Sequence, residues 1–267
     1  MTLIIGIKCE GGIVMGADGA ATMGSLGQQT IRQSVTKLDS VANKAVLGVS
    51  GPVSIGQKFK SILDEHFDGF TFADKRQYIA TRQLQQLFWA PIEQEMNIAV
   101  KAQQCIGPIA NQSAISSALL ALQVENELRL YECTQQCSFE EVTSELTFAA
   151  IGSGLGNAHM FLAFLKRVFF ENALPSIADG VFYTVWALDH AIRTAPGGIA
   201  DPKQIMTIRL DGDGPELVIG ELTQPEIIEH LQNYVSAEAY LRGYRDQISG
   251  DPEDSSQTAF PEPPADT

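Results

Sequence analysis

Basic residues are scarce in this sequence. Eighteen lysines and arginines face 32 acidic residues, a formal net charge of −14 at pH 7, so neither nucleic acid nor an anionic membrane is expected as the main partner. No apolar run approaches the roughly 18 residues that would suggest a transmembrane helix. No basic-then-apolar leader opens the chain, so export is not expected and a cytoplasmic location is. Cysteine is thin as well: Cys9, Cys105, Cys133 and Cys137 do not make a disulfide framework at 267 residues and are expected as free thiols. Cys133 and Cys137 have no second Cys/His pair near them in sequence, so no metal is expected. The four histidines, His66, His159, His190 and His230, fall within helical patterns, where solvated or core-edge positions are the ordinary reading.

What is present suits a globular protein: 45% hydrophobic and 19% charged residues, and length enough for one domain with a substantial core. That domain is read over residues 1–248. The tail 249–267 is rich in Pro, Asp, Glu and Ser and is expected to be disordered. Leu3 to Cys9 reads as a strand, and a Glu10-Gly11-Gly12 turn returns the chain through Ile13 to Asp18 as a hairpin. Ser25 to Ser34 reads as a loop, and Thr36-Lys37-Leu38 starts a short strand turned at Asp39-Ser40. Ala45 to Val49 is an apolar strand, after which Ser54 could cap a helix carrying Ile55, Phe59, Ile62, Leu63 and Phe67. A second helix runs from Asp74 toward Gln103 with a break or kink at Pro91. A strand pair (113–124, 128–133) and another strand (146–151) follow, then helices from Met160 and from Ile177. A hairpin at 205–222 and a last helix with Ile227, Ile228, Leu231 and Val235 on one face complete the reading.

Two short patterns carry chemistry. Thr2 is a small residue after the initiator Met, so Met1 is expected to be removed, leaving hydroxyl and α-amine on one residue. An α-amine titrates at about 7.7–8.0 and can serve as the base for its own hydroxyl. Gly152-Ser153-Gly154-Leu155-Gly156-Asn157 joins a strand to a helix, which invites a dinucleotide reading. That reading fails at Asn157, where the third glycine is wanted, and at the following helix, which replaces the strand that would carry a ribose-binding acid. No cofactor is expected.

The run Gly6-Ile7-Lys8-Cys9-Glu10-Gly11-Gly12, continuing to Ala17-Asp18-Gly19-Ala20-Ala21-Thr22-Met23-Gly24, resembles the opening of proteasome β-subunits. It also resembles the bacterial two-component peptidase of that superfamily, and among its members the chain looks most like the bacterial proteasome homologues. The spacing from Thr2 to Asp18 matches the family spacing of nucleophile and acid without a gap. The resemblance implies an α+β fold, a four-layer αββα sandwich with two antiparallel sheets between helix layers. It implies Thr2 as nucleophile, Lys37 beside it, Asp18 as the partner of Lys37, Gly51 as oxyanion donor, and Ser153 near the nucleophile. Val49 would floor the substrate pocket, with Ala21 and Val53 in its walls. Two departures are visible: the Asp and Ser usual in a further loop are replaced in Arg193-Thr194-Ala195-Pro196-Gly197-Gly198, and the Arg two residues after the acid is Ala20.

The function implied is that of a threonine peptidase subunit of a self-compartmentalised complex of stacked rings acting on polypeptides, with room for an unidentified ATP-dependent unfoldase. Two alternatives stand beside it. One is an N-terminal-nucleophile amidohydrolase for a small amide; the other is a non-catalytic ring subunit, against which the missing N-terminal helical extension counts.

Overall fold

Apart from Lys8 and the Glu10-Gly11-Gly12 turn, the first hairpin is apolar on both faces of its strands, and that pattern suits burial between two layers. A strand covered on both faces has no solvent side to mark with polar residues. In the computed structural model, which describes residues 2–23, 31–67, 77–106, 116–125, 127–171, 173–195, 198–211 and 216–249, β1 (Ile4–Cys9) and β2 (Gly12–Ala17) are almost wholly buried. The odd residues Leu3, Ile5 and Ile7 point to one core and Ile4 to another, as the two-residue period of a strand requires.

Ten of the strands form two antiparallel sheets of five. The first has β1 and β2 flanked by β10 (Phe148–Ile151) on one side and by β11 (Gln204–Leu210) and β12 (Leu217–Glu221) on the other. The second runs β5 (Leu38–Val41), β6 (Ala45–Ser50), β7 (Ser117–Val124), β8 (Glu127–Cys133), β9 (Phe139–Val142). Between the sheets lies a core of Ile4, Met15, Val46, Leu119 and Leu130 with their neighbours. α1 (Val53–Phe67) and α2 (Gln77–Ile106) cover the outer face of the second sheet through Phe59, Leu63, Leu84 and Phe88. α3 (Leu155–Phe169), α4 (Ile177–Thr194) and α5 (Gln224–Ser249) cover the first sheet through Leu162, Leu165, Val185, Leu188 and Ile227. The order helix, sheet, sheet, helix is the four-layer sandwich expected.

Local signals explain most of the boundaries. Ser176 caps α4 by accepting from the Asp179 N–H at 3.1 Å. At α5, Glu226 reaches back to the N–H and hydroxyl of Thr223, both at 2.7 Å, which is half of a capping box.

Several expectations need correction. Residues 31–34, read as loop, form β4 and pair with β3 (Ala20–Met23); the pairing partner rather than local propensity makes the strand. The turn read at Asp39-Ser40 lies at Ala42 and Asn43, which take positive φ of 50° and 53°, and Lys37 precedes the strand instead of lying in it. Ser54 sits inside the first turn of α1 instead of capping it. α2 continues through Pro91. β9 was not anticipated. On α5 the interior anchors are Ile227 and Tyr234, whose ring stacks on Trp186, whereas Ile228 and Val235 are half exposed. The 249–267 tail lies outside the described residues from 250 onward, and α5 extends through Ser249.

Candidate active site around Thr2

The site sits where four strands end together. β1 pairs with β2 so that Ile4 lies opposite Ala17, and with β10 so that Ile4 lies opposite Ile151. Thr2, Asp18 and Gly152 therefore emerge at the same edge. From the second sheet, the end of β6 brings Ser50 and Gly51 to that edge.

Asp18 is fully buried and every part of its carboxylate is used. Its Oδ1 accepts the Leu3 N–H at 2.8 Å and the Lys37 ammonium at 2.6 Å; its Oδ2 accepts the N–H groups of Ala20 (3.2 Å) and Ala200 (3.3 Å). Asp18 also donates its own N–H to the Leu3 carbonyl at 3.1 Å. One side chain thus ties the neighbour of Thr2, the lysine and the segment before β11 into one unit. A buried carboxylate is tolerated only when paired and hydrogen-bonded in this way. Burial pushes the Lys37 ammonium below the ordinary lysine range, and the hydrogen bond and charge of Asp18 act against that.

Lys37 has a second anchor that sequence reasoning did not find. The Gln204 side chain accepts the backbone N–H groups of Lys37 (2.8 Å) and Leu38 (3.3 Å) and donates to the Val35 carbonyl at 2.5 Å. These bonds hold an irregular segment in place where no ladder does. No spacing links Gln204 to a residue 167 positions away; the only trace is a polar residue at the start of an apolar strand.

On the other side, Thr2 is held by the turn between β10 and α3. The Thr2 carbonyl accepts from the Gly154 N–H (3.3 Å) and the Ser153 hydroxyl (3.4 Å), and the Thr2 nitrogen donates to Ser153 Oγ at 3.2 Å. With Met1 still attached that nitrogen is a peptide N–H. Gly152 has a φ of 97°, and a Cβ there would overlap the Thr2 carbonyl. The glycine run is therefore a cradle for backbone, with no need of a phosphate. Among the described residues, none hydrogen-bonds the Thr2 hydroxyl.

Thr2, Lys37 and Gly51 line one pocket of about 520 Å³ together with Ala21, Val49 and Val53. All eight residues expected at the site thus meet at one edge of the sandwich, Asp18 beneath Lys37 and Ser153 beside Thr2. The pocket is less apolar than Ala21, Val49 and Val53 suggest. Asp39 and Lys60 also line it, paired with each other at 2.6 Å. Gly51 takes a φ of 138°, open mainly to glycine, and its N–H donates to no described residue.

A family model described as proteasome subunit matches residues 2–176. The chain belongs to the proteasome subunit family. Similar solved structures are Anbu (ancestral beta-subunit) from Yersinia bercovieri, at TM-score 0.64 and 15% identity over 90% of this chain and 97% of that one. A Gly-1 mutant of Anbu from Hyphomicrobium sp. strain MC1 gives 0.63 and 17% over 93% and 100%. Anbu from the same strain gives 0.60 and 16% over 94% and 99%. No curated protein matches the sequence. At these identities the structures speak for the fold, a proteasome-type sandwich.

The remaining expectations fall as follows. Thr194, at one of the positions where the family Asp/Ser pair is missing, is engaged elsewhere: it accepts from Asn157 Nδ2 at 2.9 Å and donates to the His190 carbonyl at 2.7 Å. Gly197 lies outside the described residues. His159 accepts the Ala150 N–H at 3.1 Å, and His190 stacks on Phe161 at 4.2 Å. Burial holds both imidazoles below the usual histidine range. Among the described residues no His/Cys/Asp/Glu group could hold a metal, and no helix is long and apolar enough to cross a membrane.

Proposed function

We propose that this proteasome-family subunit is a threonine peptidase that cleaves polypeptides through an acyl-enzyme on Thr2. The observation that carries the reading is the buried Asp18–Lys37 pair at 2.6 Å, held on the pocket that Thr2 lines. Once Met1 is removed, the Thr2 α-amine accepts the hydroxyl proton as Oγ attacks the peptide carbonyl. The Lys37 charge favours the developing alkoxide, and Asp18 keeps that charge in position. The Gly51 N–H is free to receive the oxyanion, a contact whose loss typically costs about 10²–10³ in kcat. The α-amine returns the proton to the leaving amine, and water then hydrolyses the ester.

Self-association into stacked rings belongs to the same reading. α3 presents Met160, Phe164 and Val168 at four-residue spacing, 75%, 40% and 51% exposed. α5 leaves Val235, Leu241, Tyr244 and Ile248 similarly uncovered. Apolar stripes on two outer helices that both pack on α4 suit subunit contacts. A hollow ring particle favours polypeptides over a small amide as substrate.

The decisive experiment uses protein whose intact mass shows loss of Met1. Thr2→Ala should abolish peptide turnover and capture by a threonine-directed electrophile while leaving particle size unchanged. Thr2→Ser should retain part of the activity. Normal turnover in Thr2→Ala would overturn the assignment, and an inert Met1-free protein would favour a non-catalytic ring subunit.

A further inference from the structure

A second opening shares Gly51 with the Thr2 pocket. It encloses about 420 Å³ and is lined by Gly51, Ser153, Ser116, Ser117, Glu132 and Thr134, with Gln135 and Gln136 at its rim. Register explains the meeting: Ser50 pairs with Ser117, and Ala118 with Cys133, so the end of β6, the start of β7 and the end of β8 share one edge. A chain whose carbonyl lay at Gly51 would have one opening on each side of the scissile bond.

The chemistry of the second opening is incomplete. Ser116 is 3% exposed, and its hydroxyl has no hydrogen-bond partner among the described residues. A buried hydroxyl left unpaired is costly, and such groups are rare without a reason. Glu132 alternates with Tyr131 along β8 and so shares the inter-sheet side with Leu130, at the end where the sheets open. It is the one charged residue of the lining, and no described cation pairs with it. Burial first, and the neighbouring Glu140 second, push its carboxyl above the ordinary range. A cation in the opening would relieve both effects.

We propose that this second opening is a subsite for a cationic side chain, lysine or arginine, placed after the scissile bond. Glu132 supplies the charge, and Ser116 accepts a hydrogen bond from the bound ammonium or guanidinium. The inference rests on the peptidase reading for which side of the bond it serves. It deepens that reading by naming a substrate class: polypeptides with a basic residue after the scissile bond.

The test separates the two. In Thr2→Ala protein, which binds without turnover, fluorescent peptides identical except for Lys or Glu after a Leu are titrated by anisotropy. The Lys peptide should bind about tenfold more tightly, the scale of one charge-assisted contact. Glu132→Gln should bring the two peptides level, Glu132→Lys should reverse the order, and Ser116→Ala should weaken the Lys peptide alone. Equal binding by the starting protein, or a lysine preference that survives Glu132→Gln with an unchanged melting temperature, overturns the subsite. Internally quenched versions are then given to protein with Thr2 intact. Cleavage without lysine preference sinks the subsite and leaves the peptidase; lysine preference in binding without any cleavage does the reverse.

Discussion

The two sides of Gly51 are built on opposite principles. On the Thr2–Lys37 side, each oxygen of Asp18 accepts two hydrogen bonds, and Gln204 occupies the backbone around Lys37. On the Ser116–Glu132 side, a buried hydroxyl and a half-buried carboxylate have no described partner. The first arrangement is complete before any ligand arrives, as a group that must act on a reacting atom without reorganising should be. The second leaves its bonds for the ligand to make, which suits selection among substrates.

The sharpest way to break this contrast is Lys37→Met. It leaves the fully buried Asp18 with backbone donors only, and losing one partner of a buried pair typically costs about 3–5 kcal/mol. Denaturant titration should show that loss, and turnover should fall with it. The same measurement on Glu132→Gln should show almost none, because that side has no cation to lose. A small stability effect at Lys37 would mean that the first side is not the completed one.

Gly152→Ala tests the backbone between the two sides. A Cβ there meets the Thr2 carbonyl, and the φ of 97° is unfavourable for alanine, so a cost of about 3 kcal/mol is expected in denaturant titration. Gln204→Leu keeps the volume and removes the clamp on residues 35–38. Stability should fall by about 1–2 kcal/mol, and kcat should fall more than KM rises, because Lys37 loses its position rather than the pocket its walls. An unchanged kcat would show that Asp18 alone places the lysine.

The smallest expected effect is a pH dependence behind the second side. His159 accepts the Ala150 N–H, two residues before Gly152, and can do so only while that ring nitrogen is unprotonated. Its folded pKa is depressed, mainly by burial, so the unfolded chain takes up the proton first. The contribution is therefore present above the ordinary imidazole range and is lost as pH falls through it toward the lower folded value. The loss should be about 0.5–1.5 kcal/mol between about pH 7 and about pH 5, the scale of one neutral hydrogen bond. His159→Gln offers an acceptor that does not titrate, and the acid limb of the melting-temperature profile should flatten. A limb that persists places the titration elsewhere.

Legibility followed the range of the interactions. The hairpin of β1 and β2 and the Thr2-to-Asp18 spacing depend on residues close in sequence, so composition and spacing reveal them. The resemblance of the first two dozen residues carried the roles of Thr2, Asp18, Lys37, Gly51 and Ser153, and the fold brings all five to one edge. Where the reading missed, the cause was a distant partner. β4 is a strand because β3 lies beside it, and Tyr234 displaces Val235 from the interior because Trp186 and Asp189 await it.

By itself the sequence determined that β1 and β2 would be covered on both faces, since strands with apolar residues on both sides have no other stable place. It also determined that a small residue with a hydroxyl would follow Met1, sixteen positions before an acid. Only the tertiary structure decided what supports that acid and what remains unsupported. The Gln204 clamp spans 167 positions and the Ser153 contact with Thr2 spans 151, separations at which no local preference acts. The unpaired state of Ser116 and Glu132 is likewise a fact about surroundings, because a polar side chain becomes a binding group only when the fold withholds both water and a partner.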